Sequence, residues 1–119
     1  MSRFKFVALG FASLIALSPV TAFALDDGRY HAVDVQPACG KLAAAVLYVE
    51  ADKVISASVT SETYNAVNAK KITNAKMKMA YDNNGKIIEA ELSKAKNNVI
   101  DVRIISAPNC AGSQIKFSK

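Results

Sequence analysis

The sequence predicts an all-β protein, a small antiparallel meander of about seven strands closed into a barrel or packed as a tight sandwich. Three observations carry that expectation. From Gly28 onward, short runs of alternating apolar and polar residues follow one another with turn residues between them. Asp82-Asn83-Asn84-Gly85 separates two such runs, and Asn-Gly in that position adopts the positive-φ turn that tight hairpins require. Two cysteines, Cys39 and Cys110, flank nearly the whole alternating region, one after the first run and one before the last.

The first segment reads as a leader. Arg3 and Lys5 precede an apolar stretch over residues 6–17, Ser18-Pro19 interrupts it, and Ala22-Phe23-Ala24 supplies a small-x-small cleavage signature. A dozen apolar residues fall short of the ~20 that a membrane-spanning helix needs. The expectation is a secretory signal peptide over residues 1–24, cleaved after Ala24, followed by a single domain over residues 25–119. No cysteine lies at the cleavage signature to accept a lipid, so no membrane span or anchor is expected afterwards, and the location is periplasmic or extracellular. Removing 24 of 119 residues leaves 95, and losing Arg3 and Lys5 leaves 13 basic residues against 10 acidic ones. At 51% hydrophobic and 21% charged, the chain is too apolar for a disordered polymer, and its apolar residues are too dispersed for a multi-spanning membrane protein.

In the first strand, over residues 30–36, Val33 and Val35 alternate with Tyr30, Ala32 and Asp34, and Pro37 and Gly40 end it around Cys39. Residues 41–50 have helix propensity in Leu42-Ala43-Ala44-Ala45 and strand propensity in Val46-Leu47-Tyr48-Val49. A strand is expected, because a short turn leads at once into residues 54–60, where Ile55, Ala57 and Val59 alternate with Ser56, Ser58 and Thr60. Residues 61–71 are polar and lack a clear period, consistent with a long loop or a short helix capped by Ser61 or Thr63. Residues 73–81 alternate again, with Ala75, Met77, Met79 and Tyr81 expected inward. After the Asn84-Gly85 turn come Ile88, Ala90 and Leu92, a turn over residues 94–98, then Ile100, Val102 and Ile104, and a final strand carrying Ile115 and Phe117.

Exactly two cysteines in an exported chain of this size predict one disulfide, Cys39–Cys110, joining the end of the first strand to the loop before the last. Their separation of 71 positions is unlike a Cys-x-x-Cys redox pair, and His31, the only histidine, cannot complete a zinc site with them.

The same inventory points away from catalysis. With both cysteines oxidised, His31 has no recognisable nucleophile to serve, and it reads as a partly exposed strand residue. Glu89 and Glu91 share a strand face directed at solvent. Asp82-Asn83-Asn84 resembles the opening of a calcium loop, but Lys86 occupies the fifth ligand position. No enzyme activity, cofactor or metal is expected.

Lys70, Lys71, Lys76 and Lys78 form the densest basic cluster. Two readings stand side by side: a solvated face that discourages edge aggregation, and a surface that meets a protein or an anionic envelope component. Nucleic acid is disfavoured by export and by the absence of aromatic residues among these lysines.

Cys39, residues 41–48, Ser56-Ala57-Ser58, Tyr64 and the late Cys110 form a layout that resembles small exported β-barrels of the C-type lysozyme inhibitor family. That resemblance implies a Ser-Ala-Ser-Gly segment that leads to a tyrosine and enters an enzyme cleft. Here Val59 stands in the glycine's place, Tyr64 lies farther along, and no tryptophan is present, so no inhibitory residue transfers. The functional expectation is a non-catalytic exported domain that binds a macromolecular partner or a ligand; the alternative is a periplasmic enzyme inhibitor. Inhibition requires a projecting loop, for which residues 60–71 and 106–113 have the length. Ligand binding requires an apolar cavity, expected near Met77, Met79 and Tyr81.

Overall fold

Each alternating run pairs with the next, and the last returns to the first. A computed structural model describes residues 24–36, 40–106 and 110–119. Its strands are β1 (Gly28–Gln36), β2 (Val46–Glu50), β3 (Lys53–Val59), β4 (Glu62–Ala66), β5 (Met77–Asn83), β6 (Lys86–Ala95), β7 (Val99–Ser106) and β8 (Gln114–Ser118). All neighbours are antiparallel, and β8 pairs with both β7 and β1, which closes an eight-stranded up-and-down barrel. The leader expected over residues 1–24 lies, apart from Ala24, outside the described residues, as do Pro37, Cys39 and Pro108.

The expected seven strands become eight because of β4. Its sequence, Glu-Thr-Tyr-Asn-Ala, carries one large apolar side chain, so it has too little alternation to announce a strand. It is held by pairing: Val59↔Glu62, Ala57↔Tyr64 and Ser56↔Asn65 on one side, and Ala66↔Tyr81 on the other. The helix considered for residues 61–71 therefore does not form there. Both propensities in residues 41–50 are expressed in succession, as a 3₁₀ turn over Gly40–Ala44 followed by β2.

Three bulges interrupt the ladders, and the first two correct the expected faces. The register skips Val33 between Ala32↔Phe117 and Asp34↔Lys116, skips Ile55 between Val49↔Val54 and Tyr48↔Ser56, and skips Ile105 between Ala90↔Ile104 and Glu89↔Ser106. An extra residue reverses the in-out phase of everything beyond it. Ala32 and Val35 consequently both pack on the core while Val33 is 62% exposed, and Val54 is buried while Ile55 is turned outward. Bulges also add the local twist and bend that a small barrel needs in order to close.

The β5–β6 turn follows its residue types, whereas the β2–β3 and β3–β4 turns place Ala51 (φ 52°) and Thr60 (φ 57°) in the left-handed region that such residues disfavour. Asn84 (φ 51°) and Gly85 (φ 92°) make the β5–β6 turn, and Gly85 N–H donates to Asp82 Oδ1 at 3.0 Å. A Cβ at Gly85 would meet nothing within 4 Å, so the requirement for glycine there is conformational. Gly85→Val is expected to destabilise the barrel by about 1–2 kcal/mol from the left-handed backbone alone. Thermal denaturation checks this, and an unchanged midpoint contradicts the turn assignment.

One end of the barrel is sealed. Residues 67–76 cross it, with Ile72 fully buried, Ile72 N–H donating to Asp52 O, and Lys94 N–H donating to Thr73 O, both at 2.8 Å. Lys94 continues the inward series Ile88, Ala90, Leu92, and its side chain is only 4% exposed. Its Nζ reaches Asp52 Oδ2 at 3.0 Å, while Asp52 Oδ1 accepts Leu25 N–H at 2.6 Å. The buried Tyr30 hydroxyl donates to Asp26 O at 2.7 Å, and Asn98 Nδ2 donates to Asp26 Oδ2 at 2.9 Å. Burial and the nearby Asp26 and Asp52 carboxylates push the Tyr30 phenol up to about 12.

Candidate ligand site in the barrel lumen

The half of the lumen towards the other end is not filled. Inward positions of a small barrel are normally packed by side chains, but Ala57 on β3 and Ala90 on β6 present only methyl groups there. They lie among Leu47, Tyr64, Tyr81, Ile88, Leu92, Val102, Ile104, Ile115 and Phe117, and together these side chains enclose a cavity of about 290 Å³. Leu42 and Ala45, from the 3₁₀ turn and the residue after it, cover part of its mouth, and Cys110 borders it from the β7–β8 connection. An engineered apolar cavity of about 150 Å³ suffices for benzene, so this one has room for a larger apolar group.

Tyr81 forms the inner limit of the cavity. Its hydroxyl donates to Val54 O at 3.1 Å, towards the filled half, and burial pushes its pKa up strongly. The polar groups of the site gather at the mouth. Lys86 Nζ lies 2.8 Å from Glu62 Oε2, and the Tyr64 hydroxyl donates to Glu62 Oε1 at 3.3 Å. Burial and then Glu62 raise the Tyr64 pKa, and the hydrogen bond and charge of Glu62 raise that of Lys86. Thr60 joins them at the rim. The result is an apolar chamber with a compact set of donors and acceptors at its opening, the usual division of labour in a small-molecule site.

The cavity is displaced from where the alternation placed it. Tyr81 lines it, but Met79 packs deeper in the core and Met77 is a partly buried residue beside the core, and neither borders the cavity. Sequence alone raises Tyr64 only through the inhibitor-like layout and Lys86 only against a calcium loop, and it does not single out Glu62, because β4 has too little alternation to show as a strand. Once β4 is in place, the tight Thr60-Ser61 and Asn84-Gly85 turns at this end bring Glu62 and Lys86 together across the mouth.

The four lysines of the basic cluster are all exposed, but they divide between two places. Lys70 and Lys71 belong to the connection across the sealed end, where Lys71 pairs with Lys53 in an isolated bridge. Lys76 and Lys78 flank the start of β5, with Lys78 opposite Glu91 in register. Lys76 borders an outer groove that also contains Asp34, Glu91, Asp101, Arg103 and Lys116, where Arg103 Nε lies 3.0 Å from Glu91 Oε1 and Lys116 Nζ 3.2 Å from Asp101 Oδ1. Acids and bases therefore alternate around that groove.

Cys110 is buried at the edge of the cavity. Its expected partner Cys39 lies outside the described residues, so the Cys39–Cys110 bond is not part of the described structure. Ring closure does not depend on it, since β1 and β8 are joined directly by a ladder from His31↔Ser118 to Gln36↔Gln114. Among the described residues, no helix is long and apolar enough to cross a membrane, and no three His, Cys, Asp or Glu side chains are grouped to hold a metal ion.

No family model matches this chain, and no curated protein or solved structure matches it either.

Proposed function

We propose that this chain is a non-catalytic, exported β-barrel that binds a small ligand in its lumen, with an apolar body in the chamber and a polar head at Glu62, Tyr64 and Lys86. The observation that carries the reading is the 290 Å³ apolar cavity in a domain of this size. Interiors are ordinarily close-packed, and leaving such a volume unfilled forfeits dispersion contacts that larger side chains at Ala57 and Ala90 would supply. A ligand restores those contacts on binding.

Export is supported by the leader signature and by the Cys39–Cys110 pair, which we assign as a disulfide across the mouth end of the barrel. Most large apolar residues face inward and, apart from the buried Lys94, most charged side chains face outward, the reverse of a lipid-facing barrel. The inhibitor alternative has less to support it. Of residues 60–71, the first part is a tight turn and strand β4, and the remainder is bound down across the sealed end through Ile72.

Titration with the apolar fluorophore N-phenyl-1-naphthylamine tests the reading. Wild-type protein is expected to bind it, and Ala90→Phe, which grows a ring into the cavity, is expected to weaken binding at least tenfold. Because the new ring enters existing space, the melting temperature should remain within about 5 °C of wild type. Equal binding by both proteins places the probe outside the lumen and removes the proposal. Native mass spectrometry of protein taken undenatured from its envelope fraction then identifies any resident ligand by its added mass.

A further inference from the structure

We propose that export cleaves the Ala24–Leu25 bond and that the α-ammonium group released on Leu25 is a structural cation, held by the Asp52 carboxylate to lock the sealed end of the barrel. The inference rests on the export reading and is independent of what the lumen holds.

Two unrelated observations meet at one peptide bond. In the sequence, Ala22-Phe23-Ala24 places the scissile bond immediately before Leu25. In the fold, Ala24 is exposed, whereas Leu25 is 5% exposed and belongs to the core cluster. Among the described residues, the part that packs thus begins at the residue that cleavage makes first. The Leu25 nitrogen already lies 2.6 Å from Asp52 Oδ1, a separation suited to an ammonium–carboxylate contact. The Leu25 side chain fixes that nitrogen by filling its place in the core, and the exposure of Ala24 leaves the remaining ammonium protons open to water.

The chemistry is hydrolysis by the leader peptidase of the export route. Water adds across the amide, the C–N bond breaks, Ala24 leaves as a carboxylate, and the amine on Leu25 takes up a proton. The donor to Asp52 changes from a neutral N–H to a cation. Its charge is suited to its surroundings, because Asp26 and Asp27 add two carboxylates next to Leu25. Lys94, bound to the other oxygen of Asp52, and the more distant Lys71 are the cations that already act on Asp52. Asp26 and Asp27 are themselves held, by Asn98 Nδ2 and Ala51 N–H respectively, so the segment that follows the new terminus is tied down.

The test uses the full chain, exported and recovered after processing, beside a variant with one alanine inserted between Ala24 and Leu25. Intact mass and N-terminal sequencing report where processing occurs, and NMR titration of the ¹⁵N-labelled terminal amine reports its environment. The expected results are a first residue of Leu25, an α-ammonium that titrates above about 9 where an ordinary one lies near 8, and a melting temperature about 5 °C lower in the insertion variant. A different first residue overturns the processing step. A terminus at Leu25 that titrates near its ordinary value, or a melting temperature indifferent to the insertion, overturns the docking step.

Discussion

Asp52→Asn is expected to destabilise the barrel by about 3–5 kcal/mol, and Lys94→Met by markedly less. The asymmetry follows from exposure. The Lys94 side chain is 4% exposed and the Asp52 side chain 21%, so removing the carboxylate strands a buried cation, whereas removing the cation leaves a carboxylate that water can reach and that still accepts Leu25 N–H at 2.6 Å. The double variant should recover much of the loss, because neither charge is then buried alone. Urea denaturation of the four proteins closes the cycle, and equal losses for the two single variants contradict the assignment. The same group sets a pH dependence. Burial opposes ionisation of Asp52, but the Leu25 N–H and Lys94, with Lys71 farther off, outweigh it and hold the carboxyl below its ordinary value of 3.8. A depressed folded-state pKa contributes stability that is complete above the ordinary value and is lost as the pH falls through the lower one. The gap between wild type and Asp52→Asn should therefore narrow on acidification below about pH 4. A gap that stays constant to the acid limit of folding separates the effect from the carboxylate.

Reduction of the proposed Cys39–Cys110 bond should remove about 4 kcal/mol and lower the melting temperature by about 15 °C or more, while leaving the far-ultraviolet circular dichroism at 25 °C unchanged. The two halves of that prediction come from different places. The stability loss reflects the freedom regained by an unfolded chain whose cross-link spans 71 positions of sequence. The retained spectrum reflects β1 and β8, which close the ring through their own hydrogen-bond ladder. Two free thiols before reduction, or an unchanged melting temperature, would remove the covalent cross-link from the account.

Much of the barrel is legible in order along the chain. Strands β5 to β8 announce themselves because Met79, Tyr81, Ile88, Ala90, Leu92, Ile100, Val102, Ile104, Ile115 and Phe117 alternate with polar residues and all face the core. Asn84-Gly85 marks its hairpin because Asn-Gly is the dipeptide that takes two consecutive positive φ angles at least cost, whereas Ala51-Asp52 takes the same pair of angles without a sequence signal. Lys94, expected in the turn over residues 94–98, lies instead in β6, which runs on to Ala95. It continues the inward series at Ile88, Ala90 and Leu92, and a lysine at such a position requires a buried partner, although its sequence does not say that the partner is Asp52, 42 residues away.

The amino-acid sequence by itself determined the all-β class, the antiparallel order and most inward faces, because side-chain alternation and turn chemistry act over a few residues and need no distant partner. Tertiary structure decided the rest. A bulge is a mismatch between two strands, so the displacement of Val33 and Ile55 appears only once Phe117 and Val49 stand opposite their neighbours. Strand β4 exists because β3 and β5 flank it, since five mostly polar residues cannot hold an extended form alone. The lumen is a volume left between side chains from strands far apart in sequence, and its emptiness depends on Ala57 and Ala90 facing one space, a distance in three dimensions that no local pattern encodes.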